Sequence, residues 1–262
     1  MAGVTDTSRH PTSRSRGREL ALSPGRDRPR PHLQSAAAMP RDFQRPFTLP
    51  AGATEIVCVR HGSSAGIADG HTLGLVDGHS DPPLSDRGHV QADAVAQRLR
   101  GTDARRLFIT PLRRTAQTAE PLARVLDLAP VVIEELREVH LGEWEGQLSS
   151  RMGDDPVSAE ILATGRWDVI PDAEDMDAFS ARITAGMARM ADAVGPDGTG
   201  VAVLHGGVIA EACRQATDSL AFAFLYAENA SITRLLRLDS GRWALRTFND
   251  IAHLTELAEA TR

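Results

Sequence analysis

From about Thr54 onward, short runs rich in apolar and β-branched residues alternate with longer stretches whose apolar positions recur every three or four residues. Thr54–Val59 (TEIVCV) and Val201–Leu204 (VAVL) lack the strict polar alternation of a half-exposed strand. They therefore predict strands covered on both faces. Leu107–Ile109 and Val131–Ile133 predict shorter strands of the same kind. Ser85 is placed to cap a helix through Val90, Ala94, Val95 and Leu99 that closes near Gly101. Thr110–Pro111 predicts another helix start, with threonine as the cap and proline at the first helical position, and the helix runs to about Asp127. Ser158–Ala163, Ala178–Val194 and Val208–Ala216 complete the helices. Ser231–Leu238 and Trp243–Phe248 predict a terminal hairpin around Asp239–Gly241. Strands alternating with helices in this way predict an α/β fold: a three-layer α/β/α sandwich with a mostly parallel central sheet, in a single domain.

Composition divides the chain in two. Residues 1–45 are rich in Ser, Arg, Pro and Ala, with nine arginines against four acidic residues. Too few large apolar side chains are present to offset chain entropy, so this segment is expected to be a disordered basic tail ahead of a domain over 46–262. Its Arg-rich character also suits a transit peptide, but Met39, just before the ordered part, favours an over-long start assignment. The remaining residues set twenty arginines against thirty-one carboxylates. An acidic body argues against nucleic acid as a partner. No apolar run approaches the length of a membrane span, so no membrane partner is expected and the location is expected to be cytoplasmic.

All 29 basic residues are arginine; the chain has no lysine. That excludes a GxxxxGK[ST] phosphate loop, a Schiff-base lysine and a kinase-type ATP lysine. Cys58 and Cys213 lie far apart in apolar contexts without CxxC spacing and are expected to be inert core thiols.

Two buried strands end alike: TEIVCV runs into Arg60-His61-Gly62, and VAVL into His205-Gly206-Gly207. Ligands of open α/β sheets bind beyond the carboxyl ends of the strands, so the two histidines can converge on one pocket. Glycine after each histidine lets backbone approach an anion closely. Arg114, in the first turn of the helix after the third strand, adds a bidentate guanidinium to a helix N-terminus. Together these features point to phosphate. A lone histidine at a strand end is more often structural, and Arg114 beside Arg113 could be plain surface; two histidines in matching contexts outweigh that. His71, Asp77, His79 and Asp81, with Asp69 nearby, could in principle hold a divalent metal, but nothing fixes their spacing. They are expected to form a flexible pocket loop, with no metal.

The motifs VRHGSS (59–64), PLSDRG (83–88), ITPLRRTAQTAEPL (109–122), LREVHLGEWEG (136–146), PDAEDMDAFSAR (171–182), VAVLHGGVIAEA (201–212) and NASIT (229–233) follow one another over roughly Glu55 to Leu254. In this the chain resembles the histidine phosphatase superfamily, in the branch of cofactor-dependent phosphoglycerate mutases and broad-specificity phosphatases. The resemblance implies His61 as the phosphorylated nucleophile, with Arg60, Arg114 and a protonated His205 holding the phosphoryl group. It also implies Glu138 as the proton donor, which the residues alone do not distinguish from Glu134, Glu135, Glu143 and Glu145. Ser64 matches the family's hydroxyl position, and Gly206 belongs with the substrate-binding set. Ile67 stands where the family often has asparagine, and the loop from Gly62 to Pro83 is several residues longer than usual, so one wall of the leaving-group pocket is expected to be rebuilt. Trp144 lines the pocket or belongs to the core.

Mutases of this branch use a lysine and extra arginines around the acid motif, where this chain has Val139 and no lysine. The expected activity is therefore hydrolysis of a small phosphorylated metabolite, with no cofactor; a homodimer is compatible with it. Two alternatives stay open: a phosphoglycerate-mutase-type isomerase and a non-catalytic phosphate-binding module.

Overall fold

β1 (Thr54–Arg60) shows no polar alternation because both of its faces are covered. Ile56 and Cys58 enter one core cluster, Val57 and Val59 the other, and none of the four is exposed. The structure is a computed structural model that describes residues 46–66, 75–153 and 155–255. The expected tail, and with it Ile67, Asp69 and His71, lies outside the described residues.

After β1 come a short hairpin, β2 (Leu75–Val76) and β3 (His79–Ser80), and then α1 (Asp86–Leu99), β4 (Ala104–Ile109), α2 (Arg113–Leu126) and β5 (Pro130–Val132). The chain continues through α3 (Leu148–Arg151), α4 (Val157–Thr164), α5 (Met176–Val194), β6 (Gly198–Leu204) and α6 (Gly206–Thr217), and ends in β7 (Ile232–Arg237) and β8 (Trp243–Asp250). Six strands form one sheet in the order β5-β4-β6-β1-β7-β8. The pairs β5/β4, β4/β6 and β6/β1 are parallel, and the predicted terminal hairpin adds β7 and β8 antiparallel. Val95, Leu99, Ala119 and Leu122 of α1 and α2 cover the face bearing Val57 and Val59. Ile183, Met187, Met190, Ile209 and Cys213 of α5 and α6 cover the other. Each such side chain taken fully out of water contributes about 1.5–3 kcal/mol. The predicted three layers and mostly parallel sheet are what form. Among the described residues no helix is long and apolar enough to cross a membrane.

The local signals hold with one informative exception. Ser85 caps α1 by accepting from Gly88 N–H, and Gly101 after its end sits at φ +79°. Thr110 does not cap α2, whose N-cap is Leu112 without a side-chain bond. The Thr110 hydroxyl is spent on His205 Nε2, 2.9 Å away, and on Thr115 Oγ1 at 3.1 Å. α6 starts at Gly206, earlier than predicted, so His205 is itself the N-cap residue.

Gly62 and Gly88 fasten α1 to the turn after β1. A Cβ on Gly88 would stand 2.1 Å from the Ser63 carbonyl oxygen, and one on Gly62 would stand 2.5 Å from the Gly88 oxygen. Gly62 N–H meanwhile donates to Thr118 Oγ1. The glycine after His61 therefore serves close helix packing and does not open the backbone to an anion, contrary to the sequence expectation. Gly88→Ala should lower stability by about 3 kcal/mol, since backbone must move to admit the methyl group. An unchanged urea midpoint would contradict this.

Candidate active site

The register of the sheet brings the two histidines together. In the parallel β1/β6 pair Arg60 lies opposite Leu204, so the next residue on each strand is a histidine at the same carboxyl edge. His61 N–H bonds the Leu204 carbonyl at 2.9 Å. The two rings meet edge to face with centroids 5.3 Å apart. His61 is 7% exposed and His205 not at all.

Hydrogen bonds settle the state of His61. Its Nδ1 lies 2.8 Å from the Gly62 carbonyl, which can only accept, so Nδ1 carries the proton and Nε2 is left as a lone pair. Burial pushes the His61 pKa well below the ordinary histidine value, with Arg114 and Arg60 adding to the effect. The His205 pKa is likewise well below ordinary, first through burial and then through Arg114, His61 and Arg60. Burial thus opposes the imidazolium expected at His205. The ring's Nε2 is paired with the Thr110 hydroxyl, which can give or take the proton because it also meets Thr115 Oγ1, so Nδ1 is the nitrogen left for a ligand. That Nδ1 is buried without a partner among the described residues, as is Arg60 Nε. An unpartnered buried polar atom costs about 1–3 kcal/mol, and two such nitrogens at the Arg60–Arg114 guanidinium pair mark a place for an anion.

Folding stability should follow these two rings. Both are neutral in the fold at a pH where an unfolded chain binds protons, so stability is fully present above about 6.5 and declines as pH falls below it. Each ring contributes up to about 1.4 kcal/mol per pH unit. Urea midpoints should drop between about pH 7.5 and 5.5, and drop less in His205→Asn; equal midpoints would refute the assignment. Glu174 and Glu211, whose pKa values are lowered, lose their contribution only at pH below the ordinary carboxylate value.

Arg60, Arg114, Glu138 and Gly206 line a cavity of about 620 Å³. Arg60 bonds the Ala227 carbonyl, and Arg114, 7% exposed, donates to Ser80 O at 2.9 Å. Among the candidate acids, Glu145 and Glu138 stand in this wall, and Glu138 is the one that reaches the start of α6. Its Oε2 accepts from Gly207 N–H at the start of α6, and its Oε1 accepts from its neighbour Val139 N–H. A Cβ on Gly207 would come within 2.6 Å of Oε1, so only glycine leaves room for the carboxylate. The other glutamates are committed or remote: Glu134 to Arg137, Glu135 to Arg189, Glu145 to the amides of Leu141 and Ser80, while Glu143 is exposed.

Two residues hold Glu138 in place: Arg182, which the sequence did not single out, and His79, which it placed in a pocket loop. Arg182 on α5 forks onto Glu174 and donates to the carbonyls of Glu135, Arg137 and Glu138. His79 Nε2 lies 3.0 Å from that same Glu138 carbonyl and its Nδ1 3.2 Å from Asp77 O. His79 therefore belongs to the cavity wall. Asp77 pairs with Arg137, and Asp81 accepts from Arg113 N–H. Part of the expected flexible loop is an ordered hairpin, turning at Asp77 (φ +48°) and Gly78 (φ +84°) as a two-residue connection requires.

Ser64 forms a backbone bridge with Leu84 and is not in the cavity wall. Trp144, 1% exposed, belongs to the core, while Trp167 lines the cavity. Cys58 and Cys213 are buried and free, and burial pushes both thiols up, Cys213 to about 12.

This arrangement agrees with comparison to known proteins. Residues 56–251 match the model of the histidine phosphatase superfamily, branch 1. The chain belongs to that superfamily. It is 31% identical over 209 residues, 77% of this chain and 87% of the relative, to phosphoglycerate mutase-like protein 4 of Arabidopsis thaliana. Mycobacterial glucosyl-3-phosphoglycerate phosphatase superposes with a TM-score of 0.62 at 27% identity, covering 75% of this chain and 99% of that one. Phosphoglycerate mutase from Bacillus anthracis shares the fold, with a TM-score of 0.65 at 22% identity over 81% of this chain and 98% of that one. Phosphatases and mutases thus both stand among this superfamily member's neighbours.

Proposed function

We propose that this histidine phosphatase superfamily member is a phosphomonoesterase that hydrolyses a small phosphorylated metabolite through a phosphohistidine on His61, with no metal ion or other cofactor. The observation that carries the reading is the free Nε2 of a neutral, buried His61 beside two guanidiniums, with Arg60 Nε and His205 Nδ1 buried and unpartnered. In the first step the Nε2 lone pair attacks phosphorus and the ester P–O bond breaks. Arg60 Nε, Arg114 and His205 Nδ1–H bond the phosphoryl oxygens. Glu138 gives its proton to the leaving oxygen and an alcohol departs. The positive charge of the phosphorylated ring rests on Nδ1–H, which stays on the Gly62 carbonyl. In the second step the Glu138 carboxylate takes a proton from water, the water oxygen attacks phosphorus, the P–N bond breaks and phosphate leaves.

An isomerase of the mutase kind would return the phosphoryl group to the product instead of to water. The competing reading is tested by assaying phosphate release from a panel of monoesters in EDTA, beside 3- to 2-phosphoglycerate conversion in the presence of 2,3-bisphosphoglycerate. Phosphate release unaffected by EDTA, with no isomerisation, is expected. Isomerisation without net release, or phosphate binding without turnover, would overturn the proposal.

A further inference from the structure

Resting on the phosphatase reading, the cavity itself narrows the substrate. Among the described residues the only guanidiniums in its wall are Arg60 and Arg114, the two assigned to the phosphoryl group. The chain has no lysine. Burial holds the His79 pKa below the ordinary histidine value, and both of its ring nitrogens are turned onto carbonyls of Asp77 and Glu138, so it offers a leaving group no cation. The same wall carries Leu141, Leu148, Met152, Leu162, Trp167 and Leu225. The apolar surface continues outward, for Leu162 is 62% and Tyr226 78% exposed at the cavity wall. A volume of about 620 Å³ is in the range of sites that enclose whole organic ligands.

We infer that the substrate is a phosphomonoester with an uncharged, largely apolar alcohol portion, an alkyl or aryl phosphate and not a phosphorylated carboxylic acid. A carboxylate on the leaving group would lose its water against leucine and methionine, with no cation beyond Arg60 and Arg114 among the described wall residues and with Glu138 and Glu145 nearby. An alkyl or aryl group would gain from the same surroundings.

The test compares kcat/KM for n-hexyl phosphate with that for 3-phosphoglycerate, two esters whose leaving groups are both primary alkoxides. Hexyl phosphate should be preferred roughly 30-fold or more, as burial of about 80 Å² of additional apolar area implies. Leu162→Arg, at a position exposed enough to spare the fold, should narrow that preference about tenfold by placing a cation where the alkyl chain lies. Equal or faster hydrolysis of 3-phosphoglycerate, with His61 still phosphorylated during turnover, would overturn the inference and leave the phosphatase reading standing. Failure of both esters with no phosphohistidine would remove both.

Discussion

His61→Ala is expected to reduce steady-state hydrolysis by about 10⁴-fold or more, because no other side chain can supply the lone pair that attacks phosphorus. Asn229 Nδ2 and Ala230 N–H bond the His61 backbone carbonyl, and Gly62 N–H bonds Thr118; these contacts survive loss of the imidazole. The variant should therefore keep its fold, seen as a wild-type circular dichroism spectrum and a cooperative urea transition. Should the alanine variant unfold, His61→Gln fills the space and carries the same expectation. A folded variant that retained turnover within tenfold of wild type would show that His61 is not the nucleophile.

Glu138→Gln is expected to have the next largest effect, and that effect should depend on the ester. Proton transfer to a leaving oxygen is worth roughly 10²–10⁴ in rate. An alkyl ester, whose alkoxide is a very strong base, should lose that full factor in kcat. A p-nitrophenyl ester, whose leaving group is stable without a proton, should lose far less in the step that forms the phosphohistidine. Burst-phase measurements separate that step from the later attack by water, which needs the carboxylate for either ester. Gly207→Ala gives an independent handle, because its methyl group would stand 2.6 Å from Glu138 Oε1 and displace the acid without removing it. It should reproduce the leaving-group dependence in weaker form. Equal losses for both esters in the first step would assign Glu138 a binding role instead.

Much of the fold was legible in the chain because its signals are local and strong. Uninterrupted β-branched runs at Thr54–Val59 and Val201–Leu204 require a strand buried on both faces, and Ser85 with Gly88 and Gly101 brackets α1. His61 and His205 were legible as a pair because a parallel register makes equivalent strand ends neighbours. What was not legible depends on long-range geometry. Thr110 carries the pattern of a helix cap, and only contact with His205 across 95 residues turns it into a site residue. Glu138 stands among five glutamates, and Arg182, 44 residues further on, together with His79 selects it by gripping its carbonyl. The apolar wall is drawn from α3, α4 and the segments around Trp167 and Tyr226, whose leucines and methionine could equally have been core. Motif position left Trp144 open between pocket and core, and it is core; Trp167, which no motif singles out, lines the cavity.

The central claim is a covalent phosphoryl group on His61, and trapping it is the most direct measurement. Wild-type protein turning over an alkyl phosphate in EDTA would be quenched in alkali, where phosphohistidine survives, and the modified residue located by fragmentation mass spectrometry. The prediction is an acid-labile phosphoryl group on His61 and on no other histidine, absent from His61→Ala and accumulating in Glu138→Gln with a p-nitrophenyl ester. Turnover at full rate with His61 unmodified at every quench time would contradict it.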